Sequence, residues 1–117
     1  MGLHTTHGCF SGPYSQFNRW RQELHKYTAP VPTRTLDQAW DAGDYLDNSS
    51  PINILMNHSD CEGEIPALVC GPLADALLAI LNQMPSTGFY DAARPATERF
   101  IVGLRKAAAA NEAVSFR

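Results

Sequence analysis

A chain of 117 residues with 44% hydrophobic and 18% charged residues has room for one globular domain, spanning 1–117, and is too apolar for disorder. Its formal net charge of −3 removes any drive toward non-specific nucleic acid, and no apolar run reaches the length of a membrane span. Three cysteines cannot close a disulfide framework without a leftover thiol, which fits reduced thiols in a cytoplasmic protein.

The opening Met1–His7 lacks the basic-then-apolar pattern of a secretory leader. Gly12-Pro13 is expected to start the first helix, with Ser11 or Gly12 as cap and Pro13 in the first helical position. Phe17, Trp20, Leu24 and Tyr27 then recur at helical steps, and Arg19, Arg21, Gln22 and Lys26 fall largely on the other side. Ala29-Pro30-Val31-Pro32 ends that helix. Thr35 caps a short one near Leu36–Asp41, closed by Gly43, and Asp47–Pro51 reads as a turn.

Ile52, Ile54 and Leu55 are ambiguous between a strand and a buried helical turn. Ile65-Pro66 opens a helical turn, and Leu73, Leu77, Ile80, Leu81 and Met84 give an amphipathic helix with a kink or restart expected at Pro72. Ser86–Arg94 reads as a loop and Pro95 starts the last helix, with Phe100, Ile101, Leu104 and Ala108 on one face. Val114-Ser115-Phe116 alternates like a terminal strand and is expected to pair with Leu3–Thr6. The expected architecture is mainly α, or α+β with a minor sheet: about three to four helices with short terminal strands.

Chemistry-bearing side chains concentrate in two segments, His7-Gly8-Cys9 and His58-Ser59-Asp60-Cys61-Glu62-Gly63-Glu64. His7, Cys9, His58 and Cys61 together form a two-imidazole, two-thiolate set that suits tetrahedral zinc, with Asp60 or Glu62 as base. The spacing matches no standard finger or ribbon, and buried thiols with histidines donating to carbonyls are the plainer alternative. Cys9, just ahead of a helix start, is a candidate for a depressed pKa, with His7 or His58 as base and Asp60 to orient it.

A third reading is anion binding. Ser11, Gly12 and Tyr14 place donors at a helix start, Arg19 and Arg21 add charge, and Phe10, Tyr14, Trp20 and Trp40 offer rings for stacking. Against it, caps of this kind are routine and arginines on a helix are usually solvated. The acidic run lacks the oxygen spacing of a calcium loop, and Ser59 or Asp60 could simply cap the following turn. His4-Thr5-Thr6 is half of a two-histidine phosphoesterase pattern whose second half is missing, which excludes that class.

Gly2-Leu3, Thr5-Thr6-His7, Cys9, Gly12, Tyr14-Ser15, Phe17 and Arg19-Trp20-Arg21 resemble the opening of a small uncharacterised family found in phages, prophages and bacteria. The block His58–Ile65 and the stretch Phe100-Ile101-x-Gly103-Leu104-Arg105-x-Ala107-Ala108 are similar to it as well, so the likeness spans nearly the whole chain. That family usually has an Asp where this chain has His4. It carries no established activity, and the resemblance implies only a phage-associated setting.

In that setting the expected function is non-catalytic binding of a small anionic ligand, a nucleotide-derived host signal sequestered in the cytoplasm. Tyr14, Arg19 and Arg21 would hold phosphate or stack. His7, His58 and Asp60 would fix the polar edge, with Ser11, Gly12 and Ser59 lining the site, and no cofactor is needed. The alternatives are a small metal- or cysteine-dependent hydrolase holding zinc, and an inhibitor that blocks a host defence protein. A homo-oligomer fits a pocket built between subunits.

Overall fold

Gly2–His4 (β1) pairs antiparallel with Ser11–Pro13 (β2), in the register Gly2 to Pro13, Leu3 to Gly12 and His4 to Ser11. The computed structural model describes residues 2–27, 38, 51–59, 62–84 and 93–116. Buried Thr5 closes this hairpin: its hydroxyl accepts the Phe10 amide at 2.7 Å and donates to the Phe10 carbonyl at 3.1 Å. Between the strands a 3₁₀ turn covers Thr6–Gly8.

Ser11 and Gly12 are therefore strand residues and not the cap expected of them. Pro13 occupies the N-cap, and the first helix, α1, runs Tyr14–His25 without a side-chain cap. Proline holds φ near −60°, so the extended backbone of β2 passes directly into the helix. Phe17, Trp20 and Leu24 bury the expected stripe, and Arg21 is buried beside them.

Pro51–Asn57 is a helix, α2, which resolves the ambiguity of the Ile52–Leu55 run; Leu55 and Met56 are its buried residues. After the loop that follows, Gly63–Ile65 forms β3 and Ala67–Gln83 forms α3. Pro72 lies inside α3 and the helix continues through it with no restart. The only ladder bond a proline there removes runs to the carbonyl of Leu68, on the exposed side of the helix where water can replace it. The last helix, α4, is Ala93–Ala110 and begins two residues before Pro95. Proline within a first turn costs no bond, because amides there have no intrahelical acceptor.

α4 stops at Asn111, whose φ of 54° is left-handed. The Asn111 amide donates to the Ala108 carbonyl at 3.1 Å and the Glu112 amide to the Ala107 carbonyl at 2.9 Å. This paired 5→2 and 6→1 bonding reverses the chain at a helix end. It delivers Val114–Phe116 (β4) to β3, with Gly63 opposite Phe116, Glu64 opposite Ser115 and Ile65 opposite Val114. The expected pairing of β4 with Leu3–Thr6 is thus corrected to β3; among the described residues, backbone pairing of β4 with the N-terminal segment is limited to the single bridge Thr5–Phe116.

The result is mainly α with a minor sheet, as expected from the sequence. One core links Phe10, Phe17, Trp20, Phe100 and Phe116 through ring contacts, with Trp20 4.8 Å from Phe100 and Phe17 5.7 Å from Phe116 between centroids. The Trp20 indole donates to the Thr97 hydroxyl at 2.9 Å, so its one polar atom is satisfied where it is buried. No helix among the described residues is long and apolar enough to cross a membrane. Of the expected features, Trp40, the Asp47–Ser50 turn and the 86–92 loop lie outside the described residues. So does the short 36–41 helix apart from Gln38, which is helical.

Candidate functional site

The two segments that concentrate reactive side chains converge on β4. On one side the 3₁₀ turn presents Thr6 and His7 to it. The Thr6 hydroxyl accepts the Ser115 amide at 2.9 Å and lies 2.9 Å from His7 Nδ1. His7 Nε2 is 2.9 Å from Glu112 Oε1. In the neutral ring the arithmetic of donors fixes the tautomer: Thr6 donates its own hydrogen to Nδ1, and Nε2–H donates to the carboxylate. His7 has φ 63°, a left-handed conformation uncommon for a residue with a side chain. The turn is held there from both ends, by the Cys9 amide donating to the Thr6 carbonyl at 3.5 Å and by the imidazole reaching Glu112.

On the other side His58 lies over Phe116, ring centroids 4.1 Å apart at 37°. Its Nδ1 is 2.8 Å from the Ser59 carbonyl and its Nε2 is 3.1 Å from the Glu64 carbonyl. Carbonyls only accept, so a neutral ring donates to one of them and the cation to both. His58 thereby clasps the two ends of the acidic loop. Gly63 makes the clasp fit: its φ is 97°, and a Cβ there would sit 3.3 Å from His58 Cε1. Asp60 and Cys61, between the clasped ends, lie outside the described residues.

Cys9 is corrected. The sequence suggests a thiol activated by a helix start, but Cys9 is followed by β2 and is buried at 1% exposure. Burial pushes its pKa up to about 12, with the neighbouring Cys70 adding to the rise and a Thr5 hydrogen bond opposing it. A thiol in that state is a core side chain and not a nucleophile. Cys70 is likewise buried, its thiol donating to the Pro66 carbonyl at 3.4 Å, and burial raises its pKa too. Of the expected zinc set, His7 faces Glu112, Cys9 faces the core and His58 faces the loop carbonyls, with Cys61 outside the described residues. Among the described residues no group of three or more His, Cys, Asp or Glu is placed to hold a metal ion.

Arg21 also departs from the role expected of it. Expected on the solvated face with its charge turned to phosphate, it is buried, and Nη1 donates to the carbonyls of Leu55 at 3.1 Å, Met56 at 3.2 Å and His58 at 2.6 Å. These belong to the last turn of α2 and the residue beyond it, where the dipole favours a cation; the Leu55 carbonyl also accepts the His58 amide at 3.2 Å. The guanidinium also lies 4.6 Å from the Phe17 ring centroid. Phe10 and Trp20, offered as stacking platforms, are core residues. Tyr14 is half-buried against that core, while Arg19, Ser11 and Ser59 are exposed and Gly12 half-exposed. Ser11 Oγ lies 3.4 Å from His4 Nδ1.

Glu112, Thr6, Ser115 and Phe116 complete the site and are not marked as site residues by the sequence. Glu112 is 105 residues from the histidine it orients, and no local pattern announces such a pair. Comparison with protein-family models, with curated proteins and with solved structures finds no match to this chain.

Proposed function

We propose that this chain is a binding protein for a small anionic ligand of nucleotide type, held at the polar rim of β4 by His7 and His58 and not turned over. One observation carries the reading. Two imidazoles 51 positions apart in sequence flank the same three-residue strand, each oriented by hydrogen bonds before any ligand arrives. Preorganised polar groups over an apolar base are what a small-ligand site needs, and Phe116 supplies the base under His58. Arg19 and Ser59 lie at the surface, while Arg21 acts through α2 and the His58 carbonyl. The phage-associated setting implied by the family resemblance would make the ligand a host signal in the cytoplasm.

Calorimetry against cyclic and ADP-ribose-type nucleotides tests this. Saturable heat with one of them, lost in His7→Ala and His58→Ala, is expected; no heat with any, well above micromolar concentrations, sinks it. One observation favours a hydrolase as second reading: Thr6, His7 and Glu112 form a hydroxyl–imidazole–carboxylate line. The Thr6 oxygen already accepts a strand amide, which makes the line a bracket for β4 before it is a nucleophile. Turnover of the same nucleotides, abolished by Thr6→Val, would reverse that order.

A further inference from the structure

α3 has 17 residues and a single charged side chain, Asp75, yet it is not enclosed. A helix with one face on the core ordinarily carries charged and polar residues on the other. Here the outward positions, at three- and four-residue steps, are Leu68, Pro72, Asp75, Leu78, Ala79 and Asn82. Among the described residues the exposed large hydrophobics are Leu68 at 88%, Leu78 at 41% and Val102 at 53%, all on α3 or α4.

The two helices run antiparallel. Arg94, at the start of α4, donates to the Leu81 and Met84 carbonyls at the end of α3, and Arg105 pairs with Asp75 at 3.2 Å. Three residues further along α3 and three back along α4, the same register sets Leu78 beside Val102. The hairpin therefore shows one outward face with an apolar pair one turn from an ion pair. Its charge is divided by helix: α3 contributes Asp75 alone, whereas α4 exposes Arg99, Arg105 and Lys106 against Glu98.

We infer that this face is the seat of a second copy of the chain, related by a two-fold axis parallel to α3 and α4. Such an axis lays α3 of the second copy on α4 of the first and keeps every residue at its own level along the helices. Asp75 of each copy then meets Arg105 of the other, and Leu78 meets Val102, each contact made twice. All neighbouring helices are antiparallel, the arrangement of a four-helix bundle. Charge complementarity selects the copy as occupant: Asp75 on α3 and Arg105 on α4 lie at one level, and this symmetry sets each opposite its counterpart in the other copy. A hairpin face roughly 25 Å long and about 20 Å wide buries on the order of 1,000 Å² in total, at the lower bound for a specific interface. The dimer is therefore dissociable.

Sedimentation equilibrium from low micromolar to submillimolar protein tests the inference. The expected result is a concentration-dependent rise from one chain to two. Asp75→Arg and Arg105→Asp should each hold the protein monomeric, because like charges then face each other across the two-fold. An equimolar mixture of the two folded variants should associate again, since the base introduced by Asp75→Arg then meets the acid introduced by Arg105→Asp. Val102→Glu, at an exposed position, should also abolish association while the circular dichroism of the fold persists. A wild type that stays monomeric throughout overturns the inference, and leaves another segment or another protein to cover the face. Dimers that persist in both charge variants, or variants that fail to associate when mixed, overturn it equally.

Discussion

Gly103 lies in the middle of α4, where alanine would ordinarily strengthen a helix by about 1 kcal/mol. Here a Cβ would stand 2.4 Å from Cys9 Sγ, 2.9 Å from the His7 carbonyl oxygen and 3.0 Å from Cys9 Cα. Two of those neighbours are backbone and cannot swing aside. Overpacking at such a contact costs about 1–3 kcal/mol, so Gly103→Ala should lower the urea midpoint despite its better propensity. An unchanged or raised midpoint would show that the Thr6–Cys9 turn does not rest on α4. Cys9 itself makes a second prediction. Its pKa in the fold is about 12 against an ordinary value of 9.0, so between those pH values the unfolded chain releases a proton that the native state keeps. Stability attached to the protonated thiol is complete below pH 9 and falls as pH rises, by about 1.4 kcal/mol per pH unit for one such group. Denaturation series at stepped pH should show that slope in the wild type and a shallower one in Cys9→Ala.

Among the elements, α2 depends most on a side chain from elsewhere. Seven residues make a helix too short to persist alone, and its final carbonyls are met by the Arg21 guanidinium. Arg21→Ala leaves those carbonyls buried without their charged donor and should cost about 2–4 kcal/mol, by chemical denaturation. Lysine in its place should recover only part, since an ammonium cannot hold the same planar fork. A stable Arg21→Ala protein that had lost ligand binding would return Arg21 to the phosphate-binding role suggested by sequence. The sequence misleads here because the helical stripe of Phe17, Trp20 and Leu24 marks one buried face, and an arginine is assigned to water unless a partner is known. The nearest partner carbonyl is 34 residues away. The long helices are legible for the opposite reason: α1, α3 and α4 repeat apolar residues turn after turn. Strands of three residues, three of the four containing glycine, carry too little alternation to read, so β2 and β3 are hidden in the sequence. Asn111 is equally hidden, although its left-handed turn aims β4. Asn111→Ala should cost about 1–2 kcal/mol, while Asn111→Gly should be nearly neutral.

For the molecule as a whole, β4 is the joint through which the N-terminal turn, the acidic loop and the last helix meet. Composition picks out the two histidine segments but cannot bring them together, since the strand between them is contributed by the C-terminal stretch. Phe116 concentrates this dependence. It is buried, meets Phe17 in the core, lies under His58, and bridges Thr5. Truncating a core phenylalanine ordinarily costs about 3–5 kcal/mol, and at the end of a short strand some of that is recovered by local collapse. Phe116→Leu keeps most of the apolar volume and removes the ring face, so it separates packing from orientation of the imidazole. Phe116→Leu should remain folded within about 1–2 kcal/mol of wild type, yet change the His58 ring-proton shifts and weaken any nucleotide binding about tenfold. His7, on the other side of β4, should keep its shifts, because Thr6 and Glu112 hold it without Phe116. If both histidines move together, β4 is displaced as a unit and the two rims form one cooperative site. If neither moves, Phe116 serves the core alone and the His58 side of the site must be sought in the loop it clasps.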